Sequence, residues 1–320
     1  KRPRFIRWVL AFFLIVVLLL VSCFVYGCAV SQAIDREVAN TPRNSETGVV
    51  RGTEAVTLEA QNAKQVDKAT TACLLVHGFI GSREDFNKLG SQLANAGFHV
   101  RLMRLPGHGT TPREWSRQSP EIMINAVREE YNNLAEEYEA VNVIGFSMGG
   151  SLATLLASEE PVNRLVLAAP YYGVKYQWFY VLPAETWTRL VNPLVPYVLK
   201  SDSFIKVNRP EAKGKFYSYQ AVSTEGTLVL IELGRRARQP EVLEAVKCPV
   251  LLVMSENDTA ASPKRARKAF DQLGSKEKEA AWFTRSDHHL FWDFDRHEVV
   301  RTIIEFLGGN MEKADLKDGD

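Results

Sequence analysis

Gly145-Phe146-Ser147-Met148-Gly149 stands between a strand-like run, Val141 to Ile144, and a run rich in small residues and leucine that reaches Ser158. A G-x-S-x-G pattern in that setting implies a strand, a sharp reversal and a helix, with the serine hydroxyl lifted clear of the sheet. Glycine is needed on both sides because a side chain there would collide within the strained turn. Gly150 and Ser151 add small residues where helix and strand pack closely. A helix beginning near Ser147 also favours negative charge beside it.

The same alternation recurs around this turn. Cys73 to Val76 is a short apolar run ending in His77-Gly78, suited to a strand buried on both faces. Val100 to Leu105 and Leu165 to Ala169 are further strands, and Glu54 to Leu58 alternates like an opening strand. Phe86 to Leu93 has helical spacing, as does Ile122 to Tyr138, with Ile124, Val127, Tyr131, Leu134 and Tyr138 at steps of three or four. The rhythm breaks after residue 170. It resumes with a strand at Val250 to Met254, a helix near Pro263 to Leu273, a strand near Ala280 to Thr284 and a helix over Val299 to Leu307. The expected class is α/β, with a mostly parallel central sheet and helices on both faces over residues 53–308. Residues 171–247 read as a cap inserted above the sheet. Pro183, Pro193 and Pro196 interrupt any long helix there. Its aromatics Tyr171, Tyr172, Tyr176, Trp178, Phe179, Tyr180 and Trp187 suit either an acyl pocket and lipid contact or the small core of the cap. Residues 309–320 are polar and read as a disordered tail.

Ahead of this domain, Trp8 to Val30 contains 23 residues and no charged side chain. About 20 apolar residues suffice for a helix to cross a bilayer. Lys1, Arg2, Arg4 and Arg7 precede the run, and Asp35, Arg36 and Glu37 follow it. This asymmetry keeps the N-terminus cytoplasmic and sends the remainder across. Residues 1–30 therefore read as a transmembrane anchor or signal segment, and 31–52, with Pro42, Asn44 and Gly48, as a juxtamembrane linker. Leu20-Val21-Ser22-Cys23 resembles a lipobox, so anchorage through a lipid on Cys23 is the alternative to a single-pass helix.

A serine hydroxyl becomes a useful nucleophile only beside a base, and the base needs an orienting acid. The chain order for this fold is serine, carboxylate, histidine. The strand Val250 to Met254 runs into Ser255-Glu256-Asn257-Asp258. Asp258 lies just past the strand's carboxyl end, where ligands gather in open α/β sheets; Glu256 is its rival. Of the histidines that follow, His297 opens the last helix, while His288 and His289 lie in the loop after the strand near Thr284. His288 is the preferred base and His289 the competitor. The oxyanion needs two backbone donors, Met148 after the nucleophile and Phe79 in the loop His77-Gly78-Phe79-Ile80-Gly81. His77 and His108 read as supports for their loops.

The charge balance, 39 basic against 38 acidic residues, offers nothing that would draw a nucleic acid. The four cysteines, Cys23, Cys28, Cys73 and Cys248, form no metal-ligand pattern, and the last two read as buried reduced thiols.

Taken together, His77-Gly-Phe, Pro106-Gly-His-Gly, Gly145-Phe-Ser-Met-Gly-Gly, Ser255-Glu-Asn-Asp258 and Ser286-Asp-His288 resemble the α/β-hydrolase superfamily, in particular bacterial carboxylesterases and monoacylglycerol lipases. The resemblance covers roughly residues 70–308. It implies hydrolysis of short- to medium-chain esters or monoacylglycerols without a cofactor or metal. In that family the histidine follows a Ser-x pair, which favours His288 over His289. Acyl transfer, lysophospholipid hydrolysis and amide cleavage share the same triad, whereas a non-catalytic binding module would be expected to lack nucleophile or base. Neither the N-terminal apolar segment nor the 171–247 insertion matches the resemblance.

Overall fold

The computed structural model describes residues 2–61, 70–175, 184–201 and 204–309. Among them the strands are β1 (Val56–Leu58), β2 (Thr71–Val76), β3 (His99–Leu102), β4 (Ala140–Phe146), β5 (Leu165–Ala168), β6 (Tyr197–Leu199), β7 (Ala221–Ser223), β8 (Val250–Ser255) and β9 (Lys278–Phe283). The helices are α1 (Arg2–Asn40), α2 (Leu89–Asn95), α3 (Pro112–Trp115), α4 (Pro120–Glu137), α5 (Met148–Glu159), α6 (Ala184–Val191), α7 (Thr224–Ala237), α8 (Pro240–Ala245), α9 (Pro263–Gln272) and α10 (Arg296–Leu307).

Seven strands form one sheet in the order β1-β3-β2-β4-β5-β8-β9. Only β1 is antiparallel, to β3; the remaining pairs are parallel. Every residue of β5 and β8 is buried, as is all of β2 and β4 after the first position. Successive side chains of a strand point to opposite faces, so helices cover the sheet on both. Local chemistry sets where those helices begin. Ser119 caps α4 by accepting from the Ile122 N–H, and Pro120 sits at its first position. Met123, Val127, Tyr131 and Leu134 then fall on the buried face of α4. Ser262 and Pro263 open α9 in the same way.

Two domain boundaries differ from the sequence reading. Residues 31–52 are not a loose linker. The helix α1 continues to Asn40, because Val30 and Ile34 are buried against Ala221, with Val38 and Tyr197 packed around them. Tyr26 accepts the Leu199 N–H at 3.2 Å, and the Glu37 carboxylate, 6% exposed, accepts the Gln220 N–H at 3.2 Å. Arg113 adds an ion pair to Asp35 at 2.6 Å. Beyond the helix, Arg43 bridges to Val50 and donates to the Thr110 carbonyl at 2.8 Å. The apolar stripe that binds this stretch is interleaved with charged residues, which gives it a linker's composition.

The cap boundary also shifts. The two-stranded sheet β6–β7 lies within the insertion, but α7 and α8 pack on α5 and belong to the body. Gly234 permits this: a Cβ there would sit 2.7 Å from the Tyr171 carbonyl oxygen. Of the cap aromatics, Tyr172 is body core, its hydroxyl 2.7 Å from Thr154 Oγ1, while Trp187 is exposed. Tyr176, Trp178, Phe179 and Tyr180, and the tail from residue 310, lie outside the described residues.

Candidate active site

Parallel strands carry their carboxyl ends to one edge, and four loops meet there. The first follows β2, the second is the turn from β4 into α5, the third follows β8 and the fourth follows β9. Ser147 occupies the turn with φ +54, a left-handed conformation that costs a non-glycine residue about 1–3 kcal/mol. Backbone bonds hold it there. The Ser147 N–H donates to the Ala168 carbonyl at 3.0 Å, and the Ser147 carbonyl accepts from Gly150 and Tyr171, each at 2.9 Å. A Cβ at Gly149 would lie 1.9 Å from the Val76 carbonyl oxygen, and one at Gly145 would lie 2.3 Å from that of Gly149. These contacts are the physical reason for both glycines.

The Ser147 hydroxyl lies 2.9 Å from His288 Nε2, and His288 Nδ1 lies 2.7 Å from Asp258 Oδ2. The carboxylate accepts, so Nδ1 carries the proton and Nε2 is left to accept the serine hydroxyl. The other oxygen of Asp258 accepts the Ala260 and Ala261 N–H groups, both at 2.8 Å, which fixes the carboxylate in place. Burial by itself would lower the His288 pKa, but the charge and hydrogen bond of Asp258, with Asp287 and Asp85 further off, raise it above its ordinary 6.5. The rival Glu256 is exposed. His289 turns its ring away; its centroid stands 5.6 Å from that of His288 and 4.6 Å from that of Phe216. His297 is half-buried in the first turn of α10.

Phe79 lines a cavity of about 830 Å³ together with Ser147, His288 and His289. Met148 is the first residue of α5. Among the described residues neither backbone N–H meets a protein acceptor. Two histidines brace the Phe79 loop. His77 accepts the Leu105 N–H at 3.1 Å and faces the Gly78 carbonyl at 2.9 Å; His108 accepts the Ile80 N–H at 3.2 Å. Burial lowers the pKa of His77 to about 4 and that of His108 well below 6.5, so both stay neutral and can accept.

The family described as serine aminopeptidase S33 matches residues 67–295. This chain belongs to that family. Similar proteins include a thermostable monoacylglycerol lipase from Bacillus sp. strain H-257, 28% identical over 241 residues, covering 73% of this chain and 89% of the relative. A carboxylesterase from Bacillus subtilis strain 168 is 23% identical over 238 residues, covering 74% and 92%. Among solved structures, a metagenome-derived lipolytic enzyme superposes with a TM-score of 0.71 at 23% identity, over 81% of this chain and 99% of its own. The likeness at that identity establishes the α/β-hydrolase fold.

This S33 family member also carries a site residue that sequence reasoning missed. Asp85 is buried beneath the loop after β2, and its Oδ2 accepts the Gly78 N–H at 2.9 Å. A Cβ on Gly81 would fall 2.1 Å from the same oxygen, so the glycine pair Gly78 and Gly81 was the available signal. Burial pushes the Asp85 carboxyl up to about 7, against the pull of the Gly78 N–H and of His288. The ordinary value is 3.8, so between these two pH values the folded protein holds a proton that the unfolded chain has released. Stability therefore declines as pH rises through that window. Asp85→Asn is expected to abolish the decline, raising the melting temperature by roughly 4 °C or more at pH above the window and changing little at its acid end. Parallel melting curves across pH check this.

Proposed function

We propose that this chain is a serine esterase that cleaves carboxylic esters, of short- to medium-chain acids or of monoacylglycerol. Ser147 is the nucleophile, His288 the base and Asp258 the orienting acid. The observation that carries the reading is the unbroken hydrogen-bond chain from Asp258 through His288 to the Ser147 hydroxyl, opening on a partly apolar cavity. In the reaction, Ser147 Oγ attacks the ester carbonyl as its proton passes to His288 Nε2. The Phe79 and Met148 N–H groups receive the carbonyl oxygen as it gains charge. Collapse breaks the bond to the alcohol, which takes the proton from His288. Water, activated by the same imidazole, then releases the acid from Ser147. The monoacylglycerol lipase and carboxylesterase relatives support this choice of substrate class.

The alternative that the family description names, cleavage at a free amino terminus, fits the cavity less well. Lys175, Lys200 and Lys206 line it and would repel an α-ammonium group. A series of p-nitrophenyl esters of increasing acyl length, run beside leucine p-nitroanilide, tests the reading. The expected result is an optimum among the short to medium chains, with esters preferred on the order of 100-fold or more in kcat/KM. Preferred turnover of the anilide would reverse it.

We further propose that α1 spans a bilayer with its N-terminus cytoplasmic and the catalytic domain on the opposite side. Its first part exposes Phe5, Trp8, Phe12, Leu19 and Phe24 in all directions, a surface suited to lipid rather than water. Lipid attachment at Cys23 is the alternative anchorage.

A further inference from the structure

The wall of the catalytic cavity is chemically divided. Tyr171, Val174, Val222 and Leu230 make one part apolar. Elsewhere the wall carries Lys175, Lys200 and Lys206 with two carboxylates, Asp85 and Asp287. Both carboxylates are engaged within the protein. Asp85 accepts from Gly78, and Asp287 accepts the Thr259 N–H and hydroxyl, each at 2.7 Å. Among the described residues no carboxylate comes within ion-pair distance of any of the three lysines. Asp85, with its carboxyl pushed up to about 7, is only partly charged near neutrality. Three lysines against two carboxylates leave this lining with a surplus of positive charge.

One edge concentrates it. Lys200 is partly withdrawn from solvent; the carboxyl groups of Glu37 and Asp85 act on its charge, and that charge in turn acts on the His289 ring. The backbone N–H of His289 donates to the backbone carbonyl of Lys206 at 3.0 Å, which holds the two residues side by side. Among the described residues His289 Nδ1 has no hydrogen-bond partner, and it is sealed from solvent beside Phe216. This edge also has a defined place relative to the reaction. The His289 ring is 5.6 Å from His288, the group that returns a proton to the departing alcohol.

We propose that the Lys200–Lys206 edge beside His289 binds an anionic group on the alcohol portion of the ester, with the acyl chain lying against the apolar wall. The natural substrate class is then a single-chain acyl ester whose alcohol bears a phosphate or comparable anion. The two ammonium groups neutralise the charge. The inference rests on the esterase reading and narrows it.

The test uses the full chain in nonionic detergent and two soluble substrates, 1-hexanoylglycerol and 1-hexanoylglycerol 3-phosphate, which share the scissile ester and differ in the phosphate. The expected ratio of kcat/KM, phosphate over neutral, is about tenfold or more. High salt should shrink it. The Lys200→Gln/Lys206→Gln pair should bring it close to unity, and Lys200→Arg with Lys206→Arg should restore most of it. A native ratio at or below one overturns the proposal, as does a ratio indifferent to the double substitution. Cleavage of neither glyceride alongside Ser147-dependent cleavage of p-nitrophenyl esters overturns it too. Hydrolysis of both glycerides that survives Ser147→Ala instead sinks the esterase reading itself.

Discussion

Ser147→Ala is expected to lower kcat for a p-nitrophenyl ester by about 10⁴–10⁶-fold, with the fold intact. The residue sits at a φ of +54, held by its own N–H and carbonyl rather than by its hydroxyl. Alanine keeps those backbone bonds and loses only the atom that attacks. The residual rate would come from the donors of Phe79 and Met148 and from binding. Labelling by a fluorophosphonate should vanish in the same variant, while circular dichroism stays unchanged. Turnover or labelling that persists would remove Ser147 from the mechanism.

The second large effect separates two neighbouring histidines. His288→Ala is expected to cost about 10⁴-fold or more in kcat, because the serine loses the base 2.9 Å away and Asp258 loses the imidazole it orients. His289→Ala should cost the neutral ester about tenfold or less, since its ring points at Phe216 and touches no reacting atom. The pH profile carries a matching signature. The base works only when neutral, so kcat/KM should fall on the acid side through the pKa of His288. Asp258 places that midpoint above the ordinary imidazole value of 6.5. A midpoint below it, or the reverse ranking of the two variants, would overturn the assignment of the base.

Much of this architecture is readable along the chain because its signals are local. The turn at Ser147 announces itself through glycines whose Cβ atoms would strike Val76 and Gly149. Asp258 and His288 are separated from each other by 30 residues and from Ser147 by more, yet each lies in the loop that follows a strand, Asp258 after β8 and His288 after β9. Parallel strand order then brings those positions to one edge. The unread parts lack such signals. Asp85 follows its loop in a short turn of 3-10 helix, with no repeating pattern, and only its contact with Gly78 and Gly81 reveals its role. Of the cavity lysines, Lys175 follows β5 while Lys200 and Lys206 follow β6, and each looks, one at a time, like ordinary surface charge. The last turns of α1 hide an apolar stripe among Asp35, Arg36 and Glu37.

That stripe bears on how the chain can be shortened. The contacts with the cap begin at Tyr26 and continue through Val30, Ile34 and Glu37. A cut at Cys23 would spare all of them, leaving a short rigid strut still bolted to the cap. A cut after Asn40 would pull the strut away, baring Ala221 and depriving Gln220 of its acceptor. Shortening the chain would therefore differ in kind according to which side of residue 26 is severed.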